Sequence, residues 1–231
     1  MLQSIYDHAS EPTLKSMHAS TLANVSGAAP NEHIPGAASF VVGIAASSGG
    51  LHAIGQVLGG LPTSLSAAII VVQHLAPKHH SFLAHILDER TALRVHDACE
   101  GAALFDGSVY VAPPDLHTVV DASERIRLIE SKPVNFVRPS ADVLFQSLAD
   151  NLGTRAIGVV LTGNGMDGAT GLLSIKNAGG FTIAEHVMTA EFPDMPRAAV
   201  EKGGVDRTLP LDQIAESIYE HTRKAEHRAG Y

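Results

Sequence analysis

The chain has 231 residues, of which 45% are apolar and 17% are charged, and its formal net charge is −8. This length and apolar content predict one α/β domain with a sizeable core, and the acidic balance argues against nonspecific binding to nucleic acid or to an anionic membrane surface. The single cysteine, Cys99, excludes an intramolecular disulfide, and no apolar run approaches the roughly 18 residues of a membrane span, so we expect a cytoplasmic protein without membrane insertion.

The two ends of the chain differ in composition from its middle. Residues 1–38 mix Ser, Ala, His, Asn and Pro without sustained periodicity, which predicts a flexible polar tail. We place the folded domain at residues 39–225 and a short C-terminal tail at residues 226–231.

From Ser39 onward, short apolar runs alternate with segments of helical periodicity. The apolar runs predict buried strands at Phe40–Ala45, Ala67–Val72, Ala156–Leu161 and Phe181–Ala184. The periodic segments predict helices at Leu51–Leu58, Phe82–Leu87, Ala141–Leu152, Ala169–Ala178 and Leu211 to about Arg223. This alternation predicts a doubly wound, mostly parallel sheet flanked by helices.

One region, between Arg94 and Glu130, has a different pattern. Short alternating pieces occur there, at Ser108–Ala112, Leu116–Val120 and Arg125–Ile129. They predict a small antiparallel hairpin or meander appended to the sheet.

Polar residues follow three of the predicted strands. Ser47 follows the first strand, His74 follows the second, and Asp167 lies in the glycine-rich turn after the strand Ala156–Leu161. Because the carboxyl ends of parallel strands converge in one crevice, the three side chains are expected to meet. Serine is a weak nucleophile until an imidazole takes its proton, and a carboxylate orients that imidazole. The sequence therefore predicts a Ser47–His74–Asp167 catalytic triad and a serine hydrolase.

The turns after the first strand and after the strand Ala156–Leu161 supply candidate donors for the oxyanion of a tetrahedral intermediate. The backbone N–H groups after Ser47, at Ser48 and Gly49, are expected to point at that oxygen. On the other turn, Gly165 allows a close approach, and either the backbone or the side-chain amide of Asn164 is a candidate donor.

Each candidate also has an ordinary structural explanation. Ser47 and Asp167 both precede predicted helices, where serine and aspartate are favoured N-caps. His74 is one of 13 histidines. The joint pattern is stronger than its parts, because caps have no reason to supply complementary proton-transfer groups at three strand ends.

Several segments resemble the chemotaxis protein-glutamate methylesterases, the CheB-type catalytic domain. The resemblance extends from about Phe40 to the last helix, and its most specific segments are Ala46–Gly50, Gln73–His74, Tyr110–Pro113, Arg138–Phe145, Leu161–Gly168 and Ala190–Ala198. The family's nucleophile, histidine and aspartate correspond to Ser47, His74 and Asp167.

This resemblance implies a substrate and partners. The expected reaction is hydrolysis of glutamate γ-methyl esters on the cytoplasmic domains of methylated chemoreceptors, with deamidation of receptor glutamines as a related activity. No metal or organic cofactor is expected. Regulated members carry an N-terminal receiver domain, for which residues 1–38 are too short and polar, so a separate receiver protein is a candidate regulatory partner.

The sequence departs from the family pattern at three positions. The family usually has Gly in place of Ala45, Thr in place of Ser48 and often Met in place of Asn164. We expect the Ala45 methyl to lie in a tight turn, and the backbone donor at Asn164 to persist in a more polar pocket.

Alternative functions come from other classes of protein. The segment Gly163–Gly168 spells G-x-G-x-x-G after a strand, with Glu185 near the position of a ribose-binding acid, which is the fingerprint of a dinucleotide-binding protein. Asp167 would, however, place a carboxylate where a pyrophosphate binds.

A non-catalytic methylesterase-like interaction module is the other alternative. A metal site at His74, His79, His80 and His85 is disfavoured, because the spacing does not suit helical ligands.

Overall fold

The computed structural model describes residues 38–74 and 82–229, with side chains described as far as Lys224. The predicted N-terminal tail, apart from Ala38, lies outside the described residues. The strands are β1 (Phe40–Ala46), β2 (Ala67–Gln73), β3 (Arg94–Asp97), β4 (Ser108–Val111), β5 (His117–Val120), β6 (Ile126–Ile129), β7 (Ala156–Val160), β8 (Phe181–Glu185) and β9 (Arg207–Leu209). The α-helices are α1 (Gly50–Gly59), α2 (Leu83–Asp88), α3 (Ala141–Leu152), α4 (Ala169–Asn177), α5 (Asp194–Glu201) and α6 (Leu211–Ala229).

Among the described residues, seven strands form a parallel sheet in the order β3-β4-β2-β1-β7-β8-β9. Strand β1 pairs with β2 on one side and with β7 on the other. The chain moves outward from β1 through β2 and returns to pair β7 against the opposite edge of β1. The strand order therefore reverses between β1 and β7, which is where α/β sheets open a crevice for ligands.

Helices cover both faces of the sheet. Strand β1 is buried along its whole length, as expected for a parallel strand covered on both sides. Its side chains alternate: Val42 and Ile44 pack in the core layer beneath α1, α2 and α6, whereas Val41 and Ala45 pack in the layer beneath α3, α4 and α5. The predicted doubly wound, mostly parallel fold is confirmed. No helix in the described ranges is both long and apolar enough to cross a bilayer.

The prediction for the region between Arg94 and Glu130 is confirmed for one part and wrong for another. Strands β5 and β6 form the expected antiparallel hairpin. The piece Ser108–Ala112 was wrongly assigned to it, because β4 pairs in parallel with β2 and β3. Its alternating appearance comes from Ser108 and Tyr110, which are polar but buried; the Tyr110 hydroxyl lies 2.9 Å from the Ala103 carbonyl oxygen to which it donates. A hydroxyl that has a partner does not mark a solvent face.

Ala45 also differs from its expected position. It lies inside β1, opposite Val72 and Val160, and is fully buried. The turn begins only after Ala46, so the Ala45 methyl packs in the core and places no demand on the turn.

Candidate active site

The predicted catalytic residues follow three adjacent strands at the switch point. Ser47 directly follows β1, His74 directly follows β2, and Asp167 lies in the loop between β7 and α4. Ala46 is paired with Gln73, and the His74 N–H donates to the Ala46 carbonyl at 3.1 Å. This register makes Ser47 and His74 leave neighbouring strands side by side.

His74 and Asp167 are in direct contact. The distance between His74 Nε2 and Asp167 Oδ2 is 2.9 Å, and both side chains are largely buried, at 9% and 3% exposed. Because Nε2 faces the carboxylate, Nδ1 is the ring nitrogen left to exchange a proton with another group.

The Asp167 carboxylate accepts several further hydrogen bonds. Ser140 Oγ donates to Oδ1 at 2.6 Å, the Ala141 backbone N–H donates to Oδ2 at 2.5 Å, and Asn135 Nδ2 donates to Oδ1 at 3.0 Å. Burial alone would raise the pKa of Asp167, but the bonds from His74, Ser140 and Asn135 outweigh it and hold that pKa below its ordinary value. The carboxylate is thus maintained in its charged form beside His74.

Asp167 therefore caps a helix, but not the one that follows it. The N-cap of α4 is Gly168, which has no side chain, and the first turn of that helix is bonded instead by Asp142, whose Oδ1 accepts from the Gly171 N–H at 2.7 Å. The carboxylate instead lies at the N-terminus of α3, where Ser140 is the N-cap and Ala141 the first helical residue. The positive end of a helix dipole stabilises an anion at this position.

Ser47 does not cap the helix that follows it, because the N-cap of α1 is Gly49, with a φ of 76°.

Backbone bonds fix the position of Ser47. Its N–H donates to the Thr162 carbonyl at 3.0 Å, and its own carbonyl accepts from Gln73 Nε2 at 2.7 Å. Gln73 also donates to the His74 carbonyl at 3.1 Å, so one amide joins the two strand ends. Within the described part of the chain, the Ser47 hydroxyl itself makes no hydrogen bond, and it remains partly exposed.

The loop after β7 packs directly against the Ser47 turn. A Cβ built on Gly163 would lie 2.2 Å from Met195 Sδ and 2.8 Å from Ser47 Cβ. Both distances are too short for any side chain, so only glycine lets this loop approach Ser47 so closely.

The two turns also present unpaired backbone donors. The N–H groups of Ser48, Gly49, Asn164 and Gly165 have no acceptor among the described residues. Asn164 Nδ2 donates to Ser48 Oγ at 2.9 Å and joins the two turns. The two polar departures from the family pattern are therefore in contact with each other. Free N–H groups beside a serine are suited to bind an anionic oxygen.

Three residues that form hydrogen bonds with the predicted triad were assigned no role by the sequence analysis. Gln73, Asn135 and Ser140 each bond Ser47, His74 or Asp167. Ser140 and Gln73 lie inside segments that carried the family resemblance, which was the only signal available for them. Asn135 lies in a loop before α3, and neither periodicity nor spacing points to it.

The residues of the alternative sites have other partners. Glu185 is 1% exposed and accepts bonds from the Thr162 N–H at 2.9 Å and the Thr189 hydroxyl at 3.1 Å, so it supports the β7 loop instead of facing a ribose. Burial raises its pKa. His79 and His80 lie outside the described residues, and the described ranges contain no cluster of three or more His, Cys, Asp or Glu suited to a metal ion.

The structure combines an α/β fold with a buried histidine–aspartate pair at its switch point. Comparison with known proteins identifies the family that has this fold. The chain belongs to the CheB methylesterase family, whose sequence profile matches residues 42–218. A protein-glutamate methylesterase/protein-glutamine glutaminase of Symbiobacterium thermophilum is 43% identical over 175 residues, which are 76% of this chain and 48% of that relative. This chain thus spans about half the length of that relative.

Two further comparisons cover nearly the whole of the other protein. A putative protein-glutamate methylesterase/protein-glutamine glutaminase of Leptospira interrogans is 37% identical, over 77% of this chain and 91% of that relative. The crystal structure of the Thermotoga maritima CheB methylesterase catalytic domain is 34% identical, has a TM-score of 0.76, and is matched over 79% of this chain and 98% of that one. The comparison with this structure extends the likeness from sequence to fold.

Proposed function

We propose that this protein is a serine hydrolase that demethylates glutamate γ-methyl esters of chemoreceptors. The observation that carries the proposal is the His74–Asp167 contact of 2.9 Å at the switch point, with Ser47 leaving the neighbouring strand. The names of the relatives, protein-glutamate methylesterase and protein-glutamine glutaminase, support the substrate and add deamidation of receptor glutamines as a second activity of the same site.

In the first half of the reaction, Ser47 Oγ attacks the ester carbonyl carbon while His74 Nδ1 takes its proton. Asp167 holds the ring through Nε2 and stabilises the imidazolium that forms. The carbonyl oxygen becomes an oxyanion, which the free N–H groups of Ser48, Gly49, Asn164 and Gly165 are placed to bind.

In the second half, the tetrahedral intermediate collapses and the carbon–oxygen bond to the methoxy group breaks. His74 returns its proton to that oxygen, and methanol leaves. Water then attacks the acyl group on Ser47 with His74 again as base, releasing a glutamate side chain and restoring the serine. For a glutamine substrate, ammonia leaves in place of methanol.

The surroundings of the site favour a macromolecular substrate. Phe136 is fully exposed, and Met166 and Met188 are 64% and 82% exposed. Phe136 and Met166 adjoin Asn135 and Asp167, and Met188 follows β8, the neighbour of β7. Large apolar side chains left in water near a site commonly mark a protein contact. The partner in this proposal is the cytoplasmic domain of a methylated chemoreceptor, so the protein would act in the cytoplasm.

Methanol release from methylated receptor cytoplasmic fragments tests the proposal. Ser47→Ala should lower the rate by about 10³-fold or more, because the nucleophile is lost and only binding and oxyanion stabilisation remain. Ser123→Ala is the matched control: it also removes one hydroxyl, on the exposed turn between β5 and β6, and should leave the rate unchanged.

Full activity of Ser47→Ala would rule out the triad. Absence of methanol release from the unmodified protein, with folding intact, would instead favour the non-catalytic interaction module. Circular dichroism of each variant separates loss of chemistry from loss of fold.

A further inference from the structure

Asn135 lies between two carboxylates. Its Nδ2 is 2.7 Å from Asp142 Oδ2 and 3.0 Å from Asp167 Oδ1. An amide nitrogen carries two hydrogens, so this one group donates to both acids. Asp142 lies in the first turn of α3, the same helix end that holds Asp167.

The loop before α3 holds Asn135 in this position. Val134 and Val137 exchange two backbone bonds of 3.1 and 3.0 Å across it, and Asn135 has a φ of 51°. Further along, Arg138 Nη2 donates to Asp115 Oδ1 at 2.6 Å. Asparagine tolerates this left-handed conformation better than most residues do. The amide is therefore presented to the acids by a braced turn.

From this geometry we infer that Asn135 is a positioning residue for the reaction: its amide fixes the Asp167 carboxylate in the orientation that bonds His74, and it separates Asp167 from the like charge of Asp142. The inference rests on the proposed function, since it assigns a role within the same triad. Asn135 acts through Asp167 and touches neither the nucleophile nor the reacting ester.

The electrostatics around Asp167 explain why a neutral donor is needed there. The titratable groups that face its carboxylate are His74, from the end of β2, and Asp142, from α3; Ser140 and the Ala141 N–H are neutral donors. Burial raises the pKa of Asp142, and the charge of Asp167 raises it further, whereas the bonds from the Gly171 N–H and from Asn135 lower it. Without the amide, two neighbouring carboxylates would take up a proton more readily. A proton on Asp167 would weaken its hold on His74.

Two variants remove the donor while keeping the turn. Glycine and aspartate both tolerate the φ of residue 135, so Asn135→Gly deletes the amide and Asn135→Asp replaces it with a third carboxylate. Asn151→Asp is the matched control. Asn151 lies in the last turn of α3, and its side-chain amide donates only to the carbonyls of Val120 and Ser147. It should lower stability without altering the pH dependence of catalysis.

The readout is the pH dependence of two reactions of the full chain. One is methanol release, analysed as kcat and KM. The other is labelling by a fluorophosphonate, in which Ser47 Oγ bonds to phosphorus and fluoride leaves; it reports on the triad and needs no receptor. We expect Asn135→Gly to lower kcat about tenfold with little change in KM, and to move the acid limb of both profiles upward by about one pH unit. Asn135→Asp should have the same effect at larger size, about 10²-fold.

The outcomes separate this inference from the proposed function. Profiles of both variants that overlay the unmodified protein, with kcat within about twofold, would overturn the role of Asn135. Labelling that shifts as expected while no methanol is released would remove the methyl ester as substrate and leave the positioning role intact. If Asn135→Gly does not fold, Asn135→Asp decides the question by the same shift.

Discussion

The two halves of the site are held by different means. On the acid side, the Asp167 carboxylate is 3% exposed and accepts bonds from His74, Ser140, Asn135 and the Ala141 N–H. On the nucleophile side, the Ser47 hydroxyl has no partner among the described residues, and the Asn164–Met166 turn is exposed.

The difference indicates a division of labour. The acid half is preorganised by side-chain chemistry in a buried environment, where each lost donor leaves a charge less well paired. The nucleophile half is shaped by the backbone, through the glycine contact at Gly163 and the bonds at Ser47. Substitutions that change chemistry should therefore affect the acid side most, and substitutions that change shape should affect the nucleophile side most.

Asp167→Asn should give the largest effect of the variants that test this division. An asparagine at this position presents its NH₂ group either to His74 and the Ala141 N–H, in place of Oδ2, or to Ser140 and Asn135, in place of Oδ1. One pair of donors therefore loses its acceptor. The rate of methanol release should fall by about 10³- to 10⁴-fold, since His74 loses its orientation and its charge partner.

Stability against pH is the second readout for Asp167→Asn. The folded-state pKa of Asp167 is lowered, so its contribution to the free energy of unfolding is present above the unfolded value of about 3.9 and is lost as pH falls through the folded value. Urea unfolding at neutral pH should show a large gap between the two proteins, and the gap should narrow below about pH 4. A gap independent of pH would mean that the carboxylate charge contributes nothing to the fold.

Gly163→Ala should give the next largest effect, on the nucleophile side. The new methyl would lie 2.2 Å from Met195 Sδ and 2.8 Å from Ser47 Cβ, so either the loop or the Ser47 turn must move. A displacement of about 1 Å at a nucleophile costs on the order of 10²-fold in rate. Single-turnover measurement of acylation would detect it.

Gly55→Ala is the matched control for that variant. Gly55 is also buried, but its new methyl would meet only the flexible Arg90 side chain, at 3.1 Å from Cδ. Activity should be unchanged, and the alanine should favour helix α1. Equal loss of activity in both variants would show that the effect is general destabilisation and not a shift of Ser47.

The sequence predicted the core of this fold because its buried strands are plain apolar runs. Strands β1, β2, β7 and β8 and helix α3 all lie where the pattern placed them. The elements that were missed are short or polar. Strand β3 has the sequence Arg-Val-His-Asp at a sheet edge, and β9 is three residues long. Helix α5 begins inside Ala190–Ala198, a segment for which only the family resemblance was noted, and it has a proline, Pro196, in its first turn. Such elements depend on their neighbours more than on their own pattern.

The candidate site divides in the same way. Ser47, His74 and Asp167 were recognisable because each follows a strand that the sequence reveals. The donors from Asn135, Ser140 and Ala141 come from the loop before α3 and the start of that helix, 26 or more residues earlier than Asp167, and only tertiary contact brings them to it. The contact between Ser48 and Asn164, 116 residues apart, was equally invisible, although each was already distinguished by its departure from the family pattern.

Asn164→Met should have the smallest effect, because it changes side-chain chemistry on the half of the site that the backbone shapes. The bond from Asn164 Nδ2 to Ser48 Oγ is lost, but the Asn164 backbone N–H remains as an oxyanion donor. We expect methanol release to change by less than about tenfold, since an exposed bond between neutral groups contributes little. A loss beyond about 100-fold would assign the oxyanion contact to the side-chain amide.

A double-substitution cycle with Ser48→Ala sharpens this prediction. If the two side chains act only through their shared bond, either single substitution removes it, and the double variant should be no slower than the slower single one. Losses that multiply would mean that each side chain contacts the substrate independently. In that case the exposed turn would contribute side-chain chemistry of its own, and the contrast between the two halves of the site would not hold.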